Sequence, residues 1–266
     1  LAANYNQLSE VARQHLATVI HSTGNHNCHH AIAEAGCFYL FASNPQEAAD
    51  FTLIAHRIAE LSLIPGICIH EGKEAETTLP SKEIIITYLG NPDDHIDCPT
   101  PAQQIIFGGK RRRVPNWFNL DYPSANGSPK NNRDLAFEIA AKHKYFYSHL
   151  PKLIGQAFNE YNSIRGTDYA PITTHQANDA QHLILTQGAT YNKVKKVVIS
   201  LRDSNQKVGC LNLAMLRPFP AEQITSLLLG KKSVTILENI NGRQSDNAPL
   251  YAELLAALSQ EDISAK

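Results

Sequence analysis

Apolar and polar positions along the chain alternate between short buried runs and amphipathic stretches. Ala17 to His21 and Cys37 to Ala42 are compact apolar runs that predict buried strands. After the second run, Phe51, Ile54, Ile58 and Leu61 recur at spacings of three and four, which puts them on one face of a helix. Ser43 and Asn44 are good caps for it, and Pro45 fits its first turn. Pro65-Gly66 breaks the helix and Ile67 to His70 reads as the next strand, so the unit predicts a parallel, right-handed crossover. The pattern returns later. His182 to Gln187, Gly209 to Met215 and Ser233 to Glu238 read as strands. They alternate with helices over 192–203, Ala221 to Leu229 and Pro249 to Ser259. The predicted fold class is α/β, with two domains whose parallel-type sheets are covered by helices.

Between these units the pattern loosens. From 71 to about 132, seven prolines punctuate a stretch that reads as a long irregular insertion over the surface, with Ile84 to Tyr88 as its one short strand. Two helices follow, roughly Arg133 to Ser148 and Pro151 to Arg165, the second with Pro151 in its first turn and Gly166 at its C-terminal cap. The domain boundary is placed near Gly166 to Thr174, giving domains over 1–166 and 167–266.

Composition narrows the class. Apolar residues at 43% and charged residues at 18% support a buried core. Lys+Arg 24 against Asp+Glu 25 leaves no global field to recruit nucleic acid or an anionic membrane, so neither is expected as a partner. The apolar runs fall far short of the roughly 20 residues needed to cross a bilayer. Five cysteines without a C-x-x-C pair suit a reduced cytoplasmic interior, and argue against a zinc ribbon or an iron–sulfur cluster within this chain. The first residue, Leu1, suggests a piece of something longer.

Candidate chemistry is sparse. His26, Cys28, His29 and His30 form the densest set of potential metal ligands, with His21 and Cys37 nearby in sequence. Adjacent side chains point apart, however, so an ordinary polar turn is the default and no metal is expected. Lys110 to Arg113, with Trp117 and Phe118, reads as a solvated loop or one docked on an acidic neighbour. Gly188 follows a strand and precedes a helix, where backbone amides cradle phosphate, but the further glycines of a dinucleotide fingerprint are absent. No G-x-S-x-G elbow occurs. Glu34, Glu47, Glu71 and Glu238 lie near strand ends as possible acid or base groups, with only position to set them apart from surface carboxylates.

Longer strings are more specific. F-A-S-N-P-Q-E-A-A-D-F-T-L-I-A-H-R-I-A-E, Phe41 to Glu60, resembles a helix of the 2-oxoacid:ferredoxin oxidoreductases, most closely the pyruvate:ferredoxin (flavodoxin) enzymes. Ile64-Pro65-Gly66 and Glu71-Gly72 stand where that family has V-P-F and a D-G turn. V-G-C-L-N-L-A-M-L-R-P-F-P, Val208 to Pro220, is similar to the family's K-x-G-x-x-x-V-x-L-x-R-P-F stretch, and Ala248-Pro249-Leu250-Tyr251 to its G-x-P-L-Y ending. The helix Pro151 to Arg165, with Gly166 and Tyr169, has a counterpart too, and the resemblance runs in order from about His15 to Leu258. It implies the later part of a pyrimidine-type thiamine-binding domain followed by a domain like the transketolase C-terminal domain.

For function, the resemblance implies a fragment or subunit of a 2-oxoacid (pyruvate-like) oxidoreductase that passes electrons to ferredoxin or flavodoxin. Thiamine diphosphate and magnesium would act in the complete assembly, with neither held tightly by this chain alone. The implied partners are the pyrophosphate-binding and iron–sulfur parts, in a homo- or hetero-oligomer. The family follows its first strand here with H-x-T-A-R, whose arginine holds the substrate carboxylate. This chain has His21-Ser22-Thr23-Gly24-Asn25, so Thr23, Gly24 and Asn25 are the substrate-pocket candidates and Asn25 occupies the arginine's position. Asparagine cannot present a charged fork to a carboxylate. The family's opening segment, its pyrophosphate-binding domain and its iron–sulfur modules have no counterpart in this stretch, so the chain is expected to be inactive alone. The rival reading is a degenerate, non-catalytic assembly or docking module of a larger redox protein.

Overall fold

The structure, a computed structural model, describes residues 4–23, 33–71, 76–113, 115, 132–240 and 248–260. Three parallel strands begin it. β1 (Val19–Thr23) and β2 (Phe38–Phe41) both pair with β3 (Gly66–His70), which lies between them. All four residues of β2 are buried, as a strand covered on both faces requires. An opening helix, α1 (Tyr5–Arg13), buries Leu8 and Ala12 against this layer.

The predicted cap forms. α2 (Pro45–Ser62) starts with the Asn44 side chain accepting the Glu47 N–H at 2.9 Å, while the Glu47 carboxylate accepts the Ser43 N–H at 2.7 Å. This reciprocal box satisfies two N–H groups at the helix entrance. Leu63, at φ 58°, closes the helix, and Phe51, Ile54 and Ile58 are buried on the predicted face. They pack with Leu150, Ile154, Phe158 and Tyr161 of α6 (Leu150–Arg165), which ends at Gly166 with φ 68°. Between these helices in sequence, α5 (Asn132–Tyr145) and a 3-10 turn (Tyr147–His149) lead into α6.

The second sheet has the order β10 (Ser233–Leu237), β7 (His182–Thr186), β8 (Val208–Leu213), β6 (Ile172–His175). β10, β7 and β8 are parallel and β6 is antiparallel to β8. α7 (Thr190–Asp203), α8 (Ala221–Leu228) and α9 (Pro249–Gln260) supply the helical cover. The fold class is thus α/β with parallel-containing sheets covered by helices.

One expected strand is really two. Residues after Gly209 form β8 as far as Leu213; the chain then continues through Ala214 into β9 (Met215–Arg217), which pairs antiparallel with β2 of the other sheet. The Phe41 N–H reaches the Ala214 carbonyl at 2.7 Å, and the following Arg217–Pro218 bond is cis. Leu8, Tyr39 and Ile67 consequently share one core with Leu183, Leu185, Leu211 and Leu254.

The stretch after residue 71 is more ordered than its punctuation suggests. Ile84 to Tyr88 is not a strand but part of α3 (Lys82–Leu89), capped by the Ser81 hydroxyl. The buried Tyr88 hydroxyl donates to the Ala157 carbonyl at 2.9 Å, which fixes this helix on α6. β4 (His95–Asp97) and β5 (Lys110–Arg112) pair antiparallel around α4 (Pro101–Phe107). An irregular surface loop over 76–113 is thereby corrected.

The basic run explains how this segment is held. Lys110 and Arg112 are exposed, but Arg111 and Arg113 are only 4% and 7% exposed. Arg113 Nε lies 3.0 Å from the buried Glu60 carboxylate, and its guanidinium also donates to the Leu89 and Gly90 carbonyls at 2.6 and 2.5 Å. Arg111 donates to the Glu60 backbone carbonyl, to Gln103 Oε1 at 2.9 Å and to the Arg113 carbonyl at 2.7 Å. The acidic neighbour is the chain's own α2. Trp117 and Phe118 lie outside the described residues.

Candidate functional site

The carboxyl ends of β1, β2 and β3 face the N-terminal part of α7 across a cleft of about 700 Å³. Ligand crevices of open parallel sheets form at this edge, because the strands end there and their connections diverge. Thr23 and His70 end β1 and β3 on one wall, with Ser43 and Asn44 at the entrance to α2. Ala189, Asn192, Lys193 and Lys196 form the opposite wall, contributed by the second sheet's helix.

Two contacts set the spacing of these walls. Asn192 Nδ2 donates to the Ser43 carbonyl at 2.8 Å. Gly188 has φ 57°, and a side chain there would begin 3.6 Å from the Ala42 carbonyl. Its left-handed backbone lets the β7–α7 turn lie against the end of β2.

Below the cleft, Asp50 organises the first wall. It is 1% exposed and accepts from the Tyr161 hydroxyl at 2.5 Å, the Tyr169 hydroxyl at 2.7 Å and Gln46 Nε2 at 3.1 Å. Burial, then the bond to Asp50, holds both phenols well above their ordinary pKa. Gln46 also pairs reciprocally with the Thr78 backbone, accepting its N–H at 2.7 Å and donating to its carbonyl at 3.0 Å. The polar residues of the string Phe41 to Glu60 therefore shape the site by holding α2, α6 and the segment after residue 76 together.

The sequence candidates separate. Thr23 reaches the cleft; Gly24 and Asn25, which follow it, lie outside the described residues, as do His26, Cys28, His29 and His30. His21 lies edge-on to His70 at 5.8 Å, while Cys37 is buried and its thiol is pushed up to about 12 by burial. Among the described residues, no three His, Cys, Asp or Glu side chains come together to hold a metal ion. Glu71 lines the cleft. Glu47 is spent on the α2 cap, and desolvation raises its pKa. Glu238 accepts the Leu250 N–H at 3.1 Å at the start of α9, and Glu34 is exposed, 3.4 Å from Arg217. Gly188 takes up a strand-to-helix turn at the cleft's edge. The lysines of α7 escaped notice because K-V-K-K on an amphipathic helix reads as a solvated face.

The architecture matches known proteins in two ways. Residues 180–265 match the family described as pyruvate:ferredoxin oxidoreductase core domain II. Over 238 residues the chain is 29% identical to pyruvate synthase subunit PorA of Thermotoga maritima, covering 88% of this chain and 57% of the relative. A probable pyruvate-flavodoxin oxidoreductase of Escherichia coli is 27% identical over 89% of this chain and 19% of its own length. A solved 2-oxoglutarate:ferredoxin oxidoreductase from Magnetococcus marinus shares the fold, with TM-score 0.56 at 14% identity over 98% of this chain and 46% of the other. The chain is thus similar in sequence to a pyruvate synthase subunit and to part of a pyruvate-flavodoxin oxidoreductase, and shares the fold of a 2-oxoglutarate enzyme. It spans little more than half of the PorA relative and about a fifth of the flavodoxin enzyme. No helix among the described residues is long and apolar enough to cross a membrane.

Proposed function

We propose that this chain is the cleft-forming part of a cytoplasmic 2-oxoacid oxidoreductase that decarboxylates a pyruvate-like acid and delivers electrons to ferredoxin or flavodoxin. The carrying observation is the position of Thr23. It ends β1 on the cleft wall, and the family's substrate arginine would follow two residues later, at Asn25. On this reading 1–166 is the later part of a pyrimidine-type thiamine-binding domain and 167–266 a transketolase C-terminal-like domain, with β9 reaching back into the first sheet. Thr23, Gly24 and Asn25 border the substrate.

The described residues do not fit the metal-bound diphosphate end of thiamine diphosphate. Glu71 is the sole carboxylate on the described cleft lining, and no metal-ligating group of three surrounds it. The diphosphate and magnesium would rest on another part of the assembly, as would the iron–sulfur clusters. This chain would supply the apolar floor of Ala42, Pro45 and Ala48 and the rigid Asp50 support beneath it.

Asn25 favours a second reading, a docking module that has lost catalysis, since a neutral amide replaces a charged fork. The test is pyruvate-dependent reduction of a viologen dye in the presence of coenzyme A, by the gently purified native assembly and by this chain alone. Activity in the assembly alone is expected, and the Asn25→Arg assembly should turn over faster. Turnover by the isolated chain would refute the proposal; an inactive assembly that Asn25→Arg leaves unchanged would establish the docking module.

A further inference from the structure

Glu47 is a half-buried acid for which the proposed reaction has no use. Its carboxylate accepts the Ser43 N–H at 2.7 Å, and the Ser43 carbonyl in turn accepts Asn192 Nδ2 at 2.8 Å. Ser43 is 3% exposed, and its hydroxyl also accepts from Asn44 Nδ2 at 3.2 Å. One residue is thus gripped by α2 on one side and by α7 on the other. Among the described residues, the Asn192 bond is the only side-chain hydrogen bond from α7 to the first sheet and its helices. The groups that face Glu47 are all acids. Asp50 lies one turn further along α2, Tyr169 comes from the connection before β6, and Tyr191 from α7 itself. Among the described residues no Lys, Arg or His pairs with the carboxylate, and Lys193 and Lys196 line the cleft without bonding to it. Burial therefore raises the Glu47 pKa from the usual glutamate value, despite the bonds from Ser43 and Asn44.

We propose that Glu47 works as a pH-sensitive latch between the two walls of the cleft. A hydrogen bond to an ionised acceptor is roughly twice as strong as a neutral one, so the charge on Glu47 decides how firmly Ser43 is held. Ionised, Glu47 fixes Ser43 where Asn192 can reach its carbonyl. Protonated, it slackens Ser43, and the α7 wall loses its tie to the entrance of α2. The charge change is local, and the element it biases is the seam between the walls. The cleft is held at its set width at neutral pH and relaxes in mild acid. The latch belongs to the fold and does not depend on the oxidoreductase reading.

The test is an NMR titration of the isotope-labelled full chain from about pH 7.5 to about pH 4.5, a range set by the glutamate and histidine values. The Ser43 amide and the Asn192 side-chain amide should shift together, with one midpoint above the usual glutamate value. The Ala189 and Lys193 amides of the α7 wall should follow them. Glu47→Gln keeps an acceptor for the Ser43 N–H but has no titrating group. It should abolish these shifts and hold the wall signals near their acid positions. Because it removes a half-buried charge that faces only acids, its melting temperature at neutral pH should be no lower than the parent's. Asn192→Ala should leave the Ser43 titration intact while the wall response is lost. A Ser43 titration that the α7 wall ignores would reduce Glu47 to a helix cap and overturn the latch. A wall response that survives in Glu47→Gln would do the same, by assigning the effect to His70, Glu71 or another cleft group. So would a midpoint no higher than the usual value. None of these readouts involves turnover, so the latch and the viologen assay fail separately.

Discussion

Removing the Asp50 carboxylate should destabilise the chain about as much as truncating a fully buried apolar side chain. In Asp50→Ala, two tyrosine hydroxyls and one Gln46 N–H lose their acceptor in a site that is 1% exposed at its centre. A hydrogen bond to a charged group contributes about 1.5–3 kcal/mol, and each stranded buried donor costs about 1–3 kcal/mol. Allowing for relaxation, the loss should be about 3–5 kcal/mol. For a chain of this size that lowers the melting temperature by roughly 10 °C. Asp50→Asn keeps the shape but turns one acceptor into a donor, so it should cost about half as much. Urea unfolding of the wild type, Asp50→Asn, Tyr169→Phe and the double variant forms a cycle that isolates the Asp50–Tyr169 bond. A coupling of at least about 1 kcal/mol is expected. A loss below about 1 kcal/mol for Asp50→Ala, or a coupling near zero, would refute the account of Asp50 as the support of the cleft wall.

Gly66→Ala should cost about 1–3 kcal/mol or more, because its Cβ would sit 2.1 Å from the Phe38 ring; Phe38→Leu in the same chain should recover part of the loss in thermal melts. Arg113→Ala should cost about 3–5 kcal/mol by leaving the buried Glu60 carboxylate without its partner. Glu60→Gln should be much milder in denaturant titrations, since desolvation already raises the Glu60 pKa despite Arg113, Arg57 and Arg111. His56 and His70 are both held below the ordinary histidine value, by burial first and then by the nearby His21. Their neutral forms favour the fold, so their contribution is intact above about pH 6.5 and is lost as pH falls through their lower folded values. His56→Gln should flatten that acid limb in melting temperature against pH, and an unchanged slope would count against burial as the cause.

Much of this was legible in the sequence where local and tertiary demands agree. The α2 entrance could be read because Asn44, Pro45 and Glu47 are favoured by capping chemistry and kept by the fold. Ile84 to Tyr88 misled because a short run of isoleucines does not distinguish strand from helix; the Ser81 cap and the long-range Tyr88–Ala157 bond decide it. β6 and β9 went unseen as separate strands because three or four residues carry no period, and each owes its place to an antiparallel partner distant in sequence. The basic run held an unread clue. Its inward and outward arginines alternate with a strand's period of two, though only the fold reveals Glu60 waiting beneath. At the site, Thr23 was marked by its string. Lys193 and Lys196 were not, because the far wall that gives them meaning lies more than a hundred residues earlier in the chain.

The passage through Ala214 bears on inheritance. A recombination joint placed between α6 and β6, where the sequence changes character, would strip the first sheet of β9 and bare the edge of β2. It would also split the core shared by Tyr39, Ile67, Leu185 and Leu211. Neither half could be shuffled into a new gene without the other. The two halves should therefore travel through evolution as one cassette.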